Sequence, residues 1–298
     1  MGYGKWDRDT FSSYSKSKGY DVDDRGSLRD ASSYSAQEMF KSRYLTKELD
    51  PHNVNRECCD SDEHPNTIPV ILALDVTGSM GRTAVEVASK LNVIMTELYK
   101  KVTDIEFMIM GIGDFAYDSC PLQVSQFESD IRIAEQLDKI YFEGGGGGNS
   151  FESYTASWYF ASRHTKLDCW KRGKKGILIT IGDEELNPYI PYNERFKNST
   201  GDSLQGDIET KDLYNEVKDK YDLYHVDVNH RTRYGEDDIR KTFCNVLGKD
   251  HFVSVHTEDV SDAIINIIMK CIEQLADSTE NVESSNSVKM DNTGAIFW

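Results

Sequence analysis

Two kinds of hydrophobic pattern alternate along the chain between residues 67 and 275. Short, almost continuous apolar runs predict buried strands, because a strand of a parallel sheet is covered on both faces. Segments in which apolar residues recur every three or four positions predict amphipathic helices. The predicted strands are residues 70–74, 105–112, 176–182, 223–228 and 252–255, with a short edge strand at 121–127. The predicted helices are residues 84–102, 131–140, 152–163, 211–221, 237–247 and 260–275.

This alternation indicates the fold class. Successive parallel strands need crossover connections, and helices supply them. We therefore expect a doubly wound α/β fold, with a mostly parallel six-stranded sheet and helices on both faces. Sheets of this kind bind ligands at the carboxyl ends of their strands.

Both ends of the chain lack the alternation. Residues 1–66 are rich in Ser, Tyr and charge, and they predict a polar N-terminal extension whose aromatic residues contact the main domain, 67–275. Within the extension, Ser-Ala-Gln-Glu at 35–38 is a capping box and predicts one helix that ends before Asp50-Pro51. Residues 276–298 are expected to form an acidic linker with an apolar tail, 294–298, that docks into a groove.

The first strand ends at a cluster of oxygen-bearing side chains. Residues 75–79 are Asp-Val-Thr-Gly-Ser, so Asp75, Thr77 and Ser79 lie at alternate positions after a buried strand. Carboxylate and hydroxyl oxygens are ligands of hard divalent cations such as Mg²⁺. The alternative is a structural turn in which Thr77 or Ser79 caps the following helix.

Residues 75–79 resemble the metal-ion-dependent adhesion site of von Willebrand factor A (vWA) domains, whose signature is Asp-x-Ser/Thr-x-Ser after the first strand. The resemblance covers residues 67–275. It implies a doubly wound α/β fold with a metal ion on its upper face and two further contributors to the site. Asp183, which follows the apolar run 176–182, matches the Asp that vWA domains carry after the fourth strand.

The remaining contributor belongs to a loop near the middle of the domain. Many vWA domains have Gly-Gly-x-Thr there, whereas this chain has glycines at 144–148 and no Thr at the usual place. The resemblance carries the role to Glu152, with Ser150 and Ser153 as rivals. We interpret the glycines as part of a metal-site loop, because a phosphate-binding loop would be followed by Gly-Lys-Ser/Thr.

The resemblance implies a non-enzymatic module that binds proteins. An Mg²⁺ or Mn²⁺ ion would lack a protein ligand in one position, and an Asp or Glu of the partner would fill it. Intracellular vWA proteins often work beside AAA-type ATPases or inside multi-subunit assemblies, which makes such an assembly the expected partner. A metal-free vWA scaffold is a further alternative.

Phosphoryl transfer of the haloacid dehalogenase type is the main competing function. Residues 75–79 are close to the Asp-x-Thr-Gly-Thr motif of that family's phosphate-pump branch, and residues 113–118 resemble its later acidic motif. Asp75 would then be the nucleophile, and Asp114 and Asp118 would bind Mg²⁺. No lysine motif of that family is evident, and Asp183 would have no role. In a metal-dependent binding module, Asp114 would instead supply an outer hydrogen bond to the site.

Charge and composition narrow the range of partners. The net charge is −17 and the sequence pI is about 4.8, which argues against nucleic-acid binding through neutralised phosphates. No stretch of eighteen apolar residues and no apolar signal core occurs, so we expect a cytoplasmic protein with no membrane partner.

The six cysteines have no Cys-x-x-Cys spacing and are expected to be reduced. The nearby set His52, Cys58, Cys59 and His64 matches no standard zinc template.

The stretch 184–211 follows the last strand of the predicted metal site. It carries Tyr189, Tyr192, Arg195 and Phe196. Aromatic residues and Arg are enriched at binding hot spots, which favours a partner surface here. The alternative is an ordinary surface loop.

Overall fold

The computed structural model describes residues 4–143, 150–228 and 236–287, without the side chains of residues 236 and 275–287. The helices in this part are α1 Arg8–Ser17, α2 Ala36–Met39, α3 Gly81–Tyr99, α4 Arg132–Leu137, α5 Thr155–Arg163, α6 Glu194–Thr200, α7 Thr210–Val217, α8 Glu236–Leu247 and α9 Val260–Ser287. The strands are β1 Arg56–Cys58, β2 Ile68–Asp75, β3 Ile105–Ile112, β4 Leu122–Val124, β5 Phe151–Glu152, β6 Thr165–Leu167, β7 Gly176–Gly182, β8 Glu185–Leu186, β9 Tyr189–Ile190, β10 Ile208–Glu209, β11 Tyr221–Val228 and β12 Phe252–Val255.

A six-stranded sheet with the strand order β12-β11-β7-β2-β3-β4 forms the centre of the fold. Its neighbouring strands are parallel except for β3 and β4, which are antiparallel. The predicted mostly parallel six-stranded sheet is confirmed. The predicted edge strand is β4, and it lies at one edge of this sheet.

Helices cover both faces of the sheet, as predicted for a doubly wound fold. Successive side chains of a strand point to opposite faces. Val70 and Leu72 of β2 belong to one apolar core, whereas Ile71 and Ala73 belong to the other. The first core also contains Leu91 of α3 and Ile264 of α9, and the second contains Trp158 of α5, Leu213 of α7 and Phe243 of α8.

The N-terminal region packs against the first of these cores. Phe11 of α1 is buried in it, and Trp6 lies partly buried beside it. The helix α1 was not expected from the sequence. It begins after Asp7, whose side chain accepts a hydrogen bond from the backbone N–H of Thr10 and so caps the helix.

The predicted length of the helix after the capping box is wrong. Ser35 and Glu38 form the box, but α2 ends at Met39. Phe40 stacks against Phe142 with ring centroids 5.8 Å apart, and Leu49 is fully buried. Burial of these two side chains in the main core directs the chain away from a helix, since tertiary packing overrides local propensity.

The same region covers the outer side of β4. The Val124 N–H donates to the carbonyl of Leu49 at 2.8 Å, and the Arg56 guanidinium donates to the carbonyl of Val124 at 2.9 Å. Arg56 also donates to the carbonyl of Glu48 at 2.8 Å. The backbone groups of Val124 at the edge of the sheet therefore have partners from the N-terminal region.

Several predicted boundaries differ from the structure; for example, the helix predicted at 211–221 ends at Val217, and Tyr221 begins β11. The helix expected from residue 152 begins at Thr155, because Phe151 and Glu152 instead pair in parallel with β8. The linker prediction is wrong for residues 276–287, which continue α9; extending an existing helix costs far less than starting one. The apolar tail at 294–298 and the glycines at 144–148 lie outside the described residues, so both predictions about them remain predictions.

The cysteines are all free thiols. The two histidines near Cys58 and Cys59 in sequence contact backbone carbonyls. His52 Nδ1 lies 2.9 Å from the carbonyl oxygen of Asn198, and His64 Nε2 lies 2.9 Å from the carbonyl oxygen of Gly4. Within the described ranges, no helix combines the length and the apolar character that a bilayer crossing requires.

Candidate metal centre

Three neighbouring strands bring the candidate ligands to one edge of the sheet. The order β7-β2-β3 places β2 between the other two strands. Asp75 is the last residue of β2 and is in register with Ile112 at the end of β3. Leu74 is in register with Ile181 of β7, so Asp183 follows the end of the strand beside Asp75. This is the carboxyl edge at which open α/β sheets bind ligands.

Asp75 is fully buried, and both of its carboxylate oxygens accept hydrogen bonds. Oδ1 accepts from the Thr77 N–H at 2.9 Å and from the Thr77 hydroxyl at 2.6 Å. Oδ2 accepts from the Tyr154 hydroxyl at 3.0 Å. The first two predicted site residues are therefore held together by the turn that follows β2.

Ser79 joins the ends of two strands. It is an exposed residue of the 3₁₀ turn Gly78–Met80, and its hydroxyl donates to Asp183 Oδ1 at 2.9 Å. Asp183 itself is only 3% exposed. An exposed residue after β2 therefore contacts a buried carboxylate after β7.

Glu152 is a buried carboxylate with an unsatisfied oxygen. It is 4% exposed, and its Oε2 has no hydrogen-bond partner within the described structure. Burial raises the pKa of Glu152 far above its ordinary value, and the charges of Asp75, Asp118 and Asp114 raise it further. A buried carboxylate without a compensating partner is costly, and a cation at this position would compensate it.

The rivals of Glu152 have other contacts. The Ser153 hydroxyl accepts from the Phe115 N–H at 3.1 Å and lies 3.4 Å from Asp114 Oδ1. Ser150 is exposed, and its carbonyl accepts from the Glu185 N–H at 3.1 Å. Of the three, Glu152 is the residue that is buried and has an oxygen without a hydrogen-bond partner in the described structure.

The pKa of Asp75, like that of Glu152, is raised by its surroundings. Burial raises its pKa to about 7, and the neighbouring charge of Asp183 adds to the increase, while the hydrogen bonds from Thr77 and Tyr154 oppose it. Carboxylates that are buried together disfavour ionisation, whereas a divalent cation favours it. The donor set of carboxylate and hydroxyl oxygens fits Mg²⁺ or Mn²⁺.

The carboxylates near Asp75 do not form a metal-binding group by themselves in the described structure. In the part of the chain that the structure describes, no group of three or more His, Cys, Asp or Glu side chains is placed to hold a metal ion. A metal ion here would therefore depend on the hydroxyls of Thr77 and Ser79 together with the carboxylates.

Tyr154 is a component that the sequence did not reveal. Its side chain is fully buried, its hydroxyl donates to Asp75, and the same oxygen accepts from the Glu184 N–H at 3.3 Å. Gly182 makes room for it, since a Cβ at this position would lie 1.9 Å from the Tyr154 hydroxyl oxygen. Nothing in the local sequence pattern marks a tyrosine at the start of a helix as a partner of a strand-end carboxylate.

The second acidic motif forms its own turn beside the site. Asp118 Oδ2 accepts from the Asp114 N–H at 2.7 Å, and Asp114 Oδ1 accepts from the Ala116 N–H at 2.8 Å. Both aspartates are buried, with 6% and 7% exposure. Burial raises the pKa of Asp118 to about 6. Asp114 Oδ1 also accepts from the hydroxyl of Ser153, next to Glu152 in sequence, at 3.4 Å. An outer hydrogen bond from Asp114 to a metal ligand stays a prediction.

The predicted hot-spot residues divide into two groups. Tyr189 and Tyr192 are 42% and 63% exposed. Arg195 donates to the carbonyl of Asp118. Phe196 is 1% exposed and belongs to the second core, so its assignment to a binding surface is wrong. One face of the short helix α6 packs inward, which places Phe196 against Tyr159 and Phe115.

Comparison with solved structures finds similar folds at low sequence identity. The pilus adhesin SpaC from Lactobacillus rhamnosus GG has a TM-score of 0.46 and 13% identity, over 72% of this chain and 31% of the adhesin. This chain therefore spans about a third of the adhesin's length. The conserved hypothetical protein BatB from Bacteroides thetaiotaomicron has a TM-score of 0.39 and 16% identity, over 69% of this chain and 99% of BatB. The sequence matches no known family profile and no curated protein.

Proposed function

We propose that this chain is a non-enzymatic protein-binding module of the vWA type that holds Mg²⁺ or Mn²⁺ through Asp75, Thr77, Ser79, Glu152 and Asp183. The observation that carries the proposal is the buried oxygen of Glu152 that has no partner in the described structure, on a carboxyl group whose pKa the charge of Asp75 helps to raise. A divalent cation between these groups would satisfy the oxygen and lower the mutual repulsion.

A free coordination position gives the module its binding chemistry. Ser79 is exposed, so an ion beside it is within reach of another protein. An Asp or Glu side chain of the partner would complete the shell, since Mg²⁺ favours oxygen ligands in octahedral geometry. Affinity for that partner then requires the ion, and a chelator should remove the partner.

The state of Asp75 favours this role over phosphoryl transfer. A nucleophilic carboxylate needs an oxygen that can reach the phosphorus atom. Asp75 is 0% exposed, and its two oxygens accept from Thr77 and Tyr154. These contacts suit a carboxylate that is fixed in place beside a metal ion.

The wider setting of the module is also part of the proposal. A cytoplasmic assembly, either multi-subunit or built around an AAA-type ATPase, would supply the partner carboxylate. The net charge of −17 supports protein partners over nucleic acid, because phosphate backbones would be repelled.

Calorimetric titration with Mg²⁺ tests the metal site. Asp75→Ala, Ser79→Ala and Asp183→Ala should each weaken Mg²⁺ binding, whereas Asp212→Ala on the exposed side of α7 should leave it unchanged. Circular dichroism of each variant would verify the fold. Equal Mg²⁺ affinity in the wild type and all three site variants would refute the ligand assignment, and no binding by the wild type would leave the metal-free scaffold as the function.

A further inference from the structure

An open pocket of about 500 Å³ lies between α1, residues 41–46 and the C-terminal end of α4. The charged residues that line it are Lys18, Lys41, Arg43, Lys139, Glu135 and Asp138. The whole chain has 51 acidic and 34 basic residues, whereas this lining has four cations and two carboxylates. The pocket is therefore opposite in charge to the protein that carries it, and we call it the basic pocket.

Two of the four cations already face carboxylates. Lys18 Nζ lies 3.5 Å from Asp138 Oδ2, and Lys139 Nζ lies 3.5 Å from Glu48 Oε1. Asp138 also accepts a hydrogen bond from the Tyr14 hydroxyl at 2.5 Å. The charges of Lys18, Lys139 and Asp138 are thus largely used within the protein.

The other two cations, Lys41 and Arg43, are available to a ligand. Both are exposed, and neither makes an ion pair within the described residues. The ammonium group of Lys41 lies 5.5 Å from the centroid of the Tyr20 ring, a contact that positions the charge without neutralising it. Glu135 is the lining carboxylate left to oppose these two cations, so the free charge of the basic pocket is positive.

Thr46 adds a hydrogen-bond donor that lacks an acceptor. It lines the basic pocket, and its hydroxyl oxygen is buried without a hydrogen-bond partner in the described structure. A buried hydroxyl in this state costs free energy, which an acceptor oxygen of a ligand would recover. The pocket therefore combines unpaired positive charge with an unsatisfied donor.

The segment that carries these groups is fixed at both ends. Phe40 is buried and stacks against Phe142, and Leu49 is fully buried. Between them, Ser42 forms a parallel bridge with Tyr141. A site on backbone that is held in this way loses less conformational freedom when a ligand binds.

A phosphoryl group matches this set of donors. It brings about −1.5 to −2 charge and three acceptor oxygens to one point, and Arg and Lys are its usual partners in proteins. The net charge of −17 disfavours an extended acidic segment or an anionic membrane, because their further charges would be repelled by the rest of the protein. Tyr44, which is 72% exposed and follows Arg43, offers an aromatic contact to the residues beside a phosphorylated side chain.

We propose that the basic pocket binds a phosphoserine or phosphothreonine of a protein partner, with Lys41 and Arg43 on the phosphoryl oxygens and Thr46 as a further donor. The proposal goes beyond the metal-dependent function, since none of the five candidate metal ligands lines this pocket. Binding here requires no divalent cation.

Retention of phosphopeptides on the immobilised full chain tests this. A degenerate peptide library with a fixed central phosphoserine or phosphothreonine is passed over the protein in a chelator, beside the same library with Ser or Thr. The phosphorylated library should be retained and the unphosphorylated one should not. Lys41→Gln/Arg43→Gln should lose retention, whereas Arg25→Gln/Lys47→Gln, which removes the same charge from exposed residues outside the pocket, should keep it.

A retained peptide then gives an affinity. Its Kd should rise about tenfold or more in Lys41→Gln/Arg43→Gln, because charge-assisted hydrogen bonds are lost. Thr46→Val keeps the shape of the side chain and should raise the Kd about threefold without lowering the melting temperature of the free protein. An unchanged Kd in Thr46→Val would overturn its assignment as a donor.

Three results would overturn the proposal. The first is no retention of the phosphorylated library, or retention that survives in Lys41→Gln/Arg43→Gln. The second is equal binding of the retained peptide with Glu at the phosphorylated position, which would assign the pocket to acidic segments. The third is full displacement of the peptide by an equal concentration of inorganic phosphate, which would assign it to a small phosphate-bearing ligand. Because a chelator is present throughout, none of these results bears on the metal centre.

Discussion

The hydroxyl of Tyr154 donates to Oδ2 of Asp75 at 3.0 Å, across the interface between the start of α5 and the end of β2. Both side chains are fully buried. Asp75, the first candidate metal ligand in the sequence, is therefore oriented by a residue that lies 79 positions later in the chain. Without this contact, Oδ2 would have no described partner to fix its direction.

Tyr154→Phe should lower the free energy of unfolding of the metal-free protein by about 1–3 kcal/mol, because a buried carboxylate loses a hydrogen-bond donor. Denaturant titration in the presence of a chelator measures the change. Tyr44→Phe is the matched control, since Tyr44 is 72% exposed. An unchanged unfolding midpoint for Tyr154→Phe would show that the hydrogen bond contributes nothing to stability.

Glu152→Gln should have opposite effects on the two states of the protein. The metal-free form should become more stable by about 1–3 kcal/mol, since a buried carboxyl group with a strongly raised pKa is replaced by a neutral amide. Mg²⁺ affinity should fall by about tenfold or more, because a hard anionic ligand is lost.

Ser150→Ala and Ser153→Ala are the comparisons for Glu152→Gln. Each should change Mg²⁺ affinity less than Glu152→Gln does. Calorimetric titration and thermal melting on the same samples give both quantities. A larger loss of Mg²⁺ affinity in either serine variant would transfer the ligand role to that serine.

Gly182→Ala should destabilise the fold by about 1–3 kcal/mol or more, as overpacking does. The new Cβ would lie 1.9 Å from the Tyr154 hydroxyl oxygen and 2.5 Å from the ring carbon that carries it. Because ring carbons are also in conflict, Tyr154→Phe should fail to rescue the variant. Gly206→Ala, where a Cβ would meet nothing within 4 Å, should melt close to the wild type.

Burial of Glu106 predicts a pH dependence of stability that does not involve the candidate metal ligands. This residue of β3 is 1% exposed, its Oε2 has no hydrogen-bond partner in the described structure, and burial raises its pKa to about 7 from 4.5. The folded protein keeps a proton here that the unfolded chain releases. Stability contributed by the protonated carboxyl is therefore present below pH 4.5, falls as the pH rises to about 7, and stays lost above that.

Glu106→Gln should remove this loss. Its unfolding free energy at pH 8 should exceed that of the wild type by up to about 3 kcal/mol, and the two proteins should converge near pH 4. Denaturant titrations across this range measure the difference. Glu97→Gln, a change in an exposed carboxylate of α3, should show no such trend. A wild-type advantage at pH 8 would contradict the assignment of Glu106 as a buried, protonated group.

The sequence predicted the sheet because its central strands are buried on both faces and therefore appear as continuous apolar runs. The positions of Asp75 and Asp183 at neighbouring strand ends could be predicted for the same reason, since each comes at the end of such a run. Tyr154 could not, because its role depends on a close approach at Gly182 that arises only when the helix packs on the sheet. Local pattern specifies which residues end a strand, whereas packing decides what contacts them.

The errors in the N-terminal region have the same origin. Residues 35–49 carry a capping box and partly helical spacing, yet only one helical turn forms. Phe40 and Leu49 are buried in the main core, and the large gain from burying them exceeds the propensity of a short helix. The error at Phe196 is the reverse. The sequence predicts an exposed aromatic residue in a polar loop, whereas Phe196 is buried in the second core.

The contacts of Leu49 and Arg56 with Val124 limit how this protein can assemble with others. An edge strand with free N–H and C=O groups is a template on which another chain adds a strand, either as a ligand or as the first step of aggregation. At β4 these groups of Val124 are already bonded within the chain. Recognition by strand addition at Val124 would therefore require the N-terminal region to detach first, so this region acts as a built-in cover for one edge of the sheet.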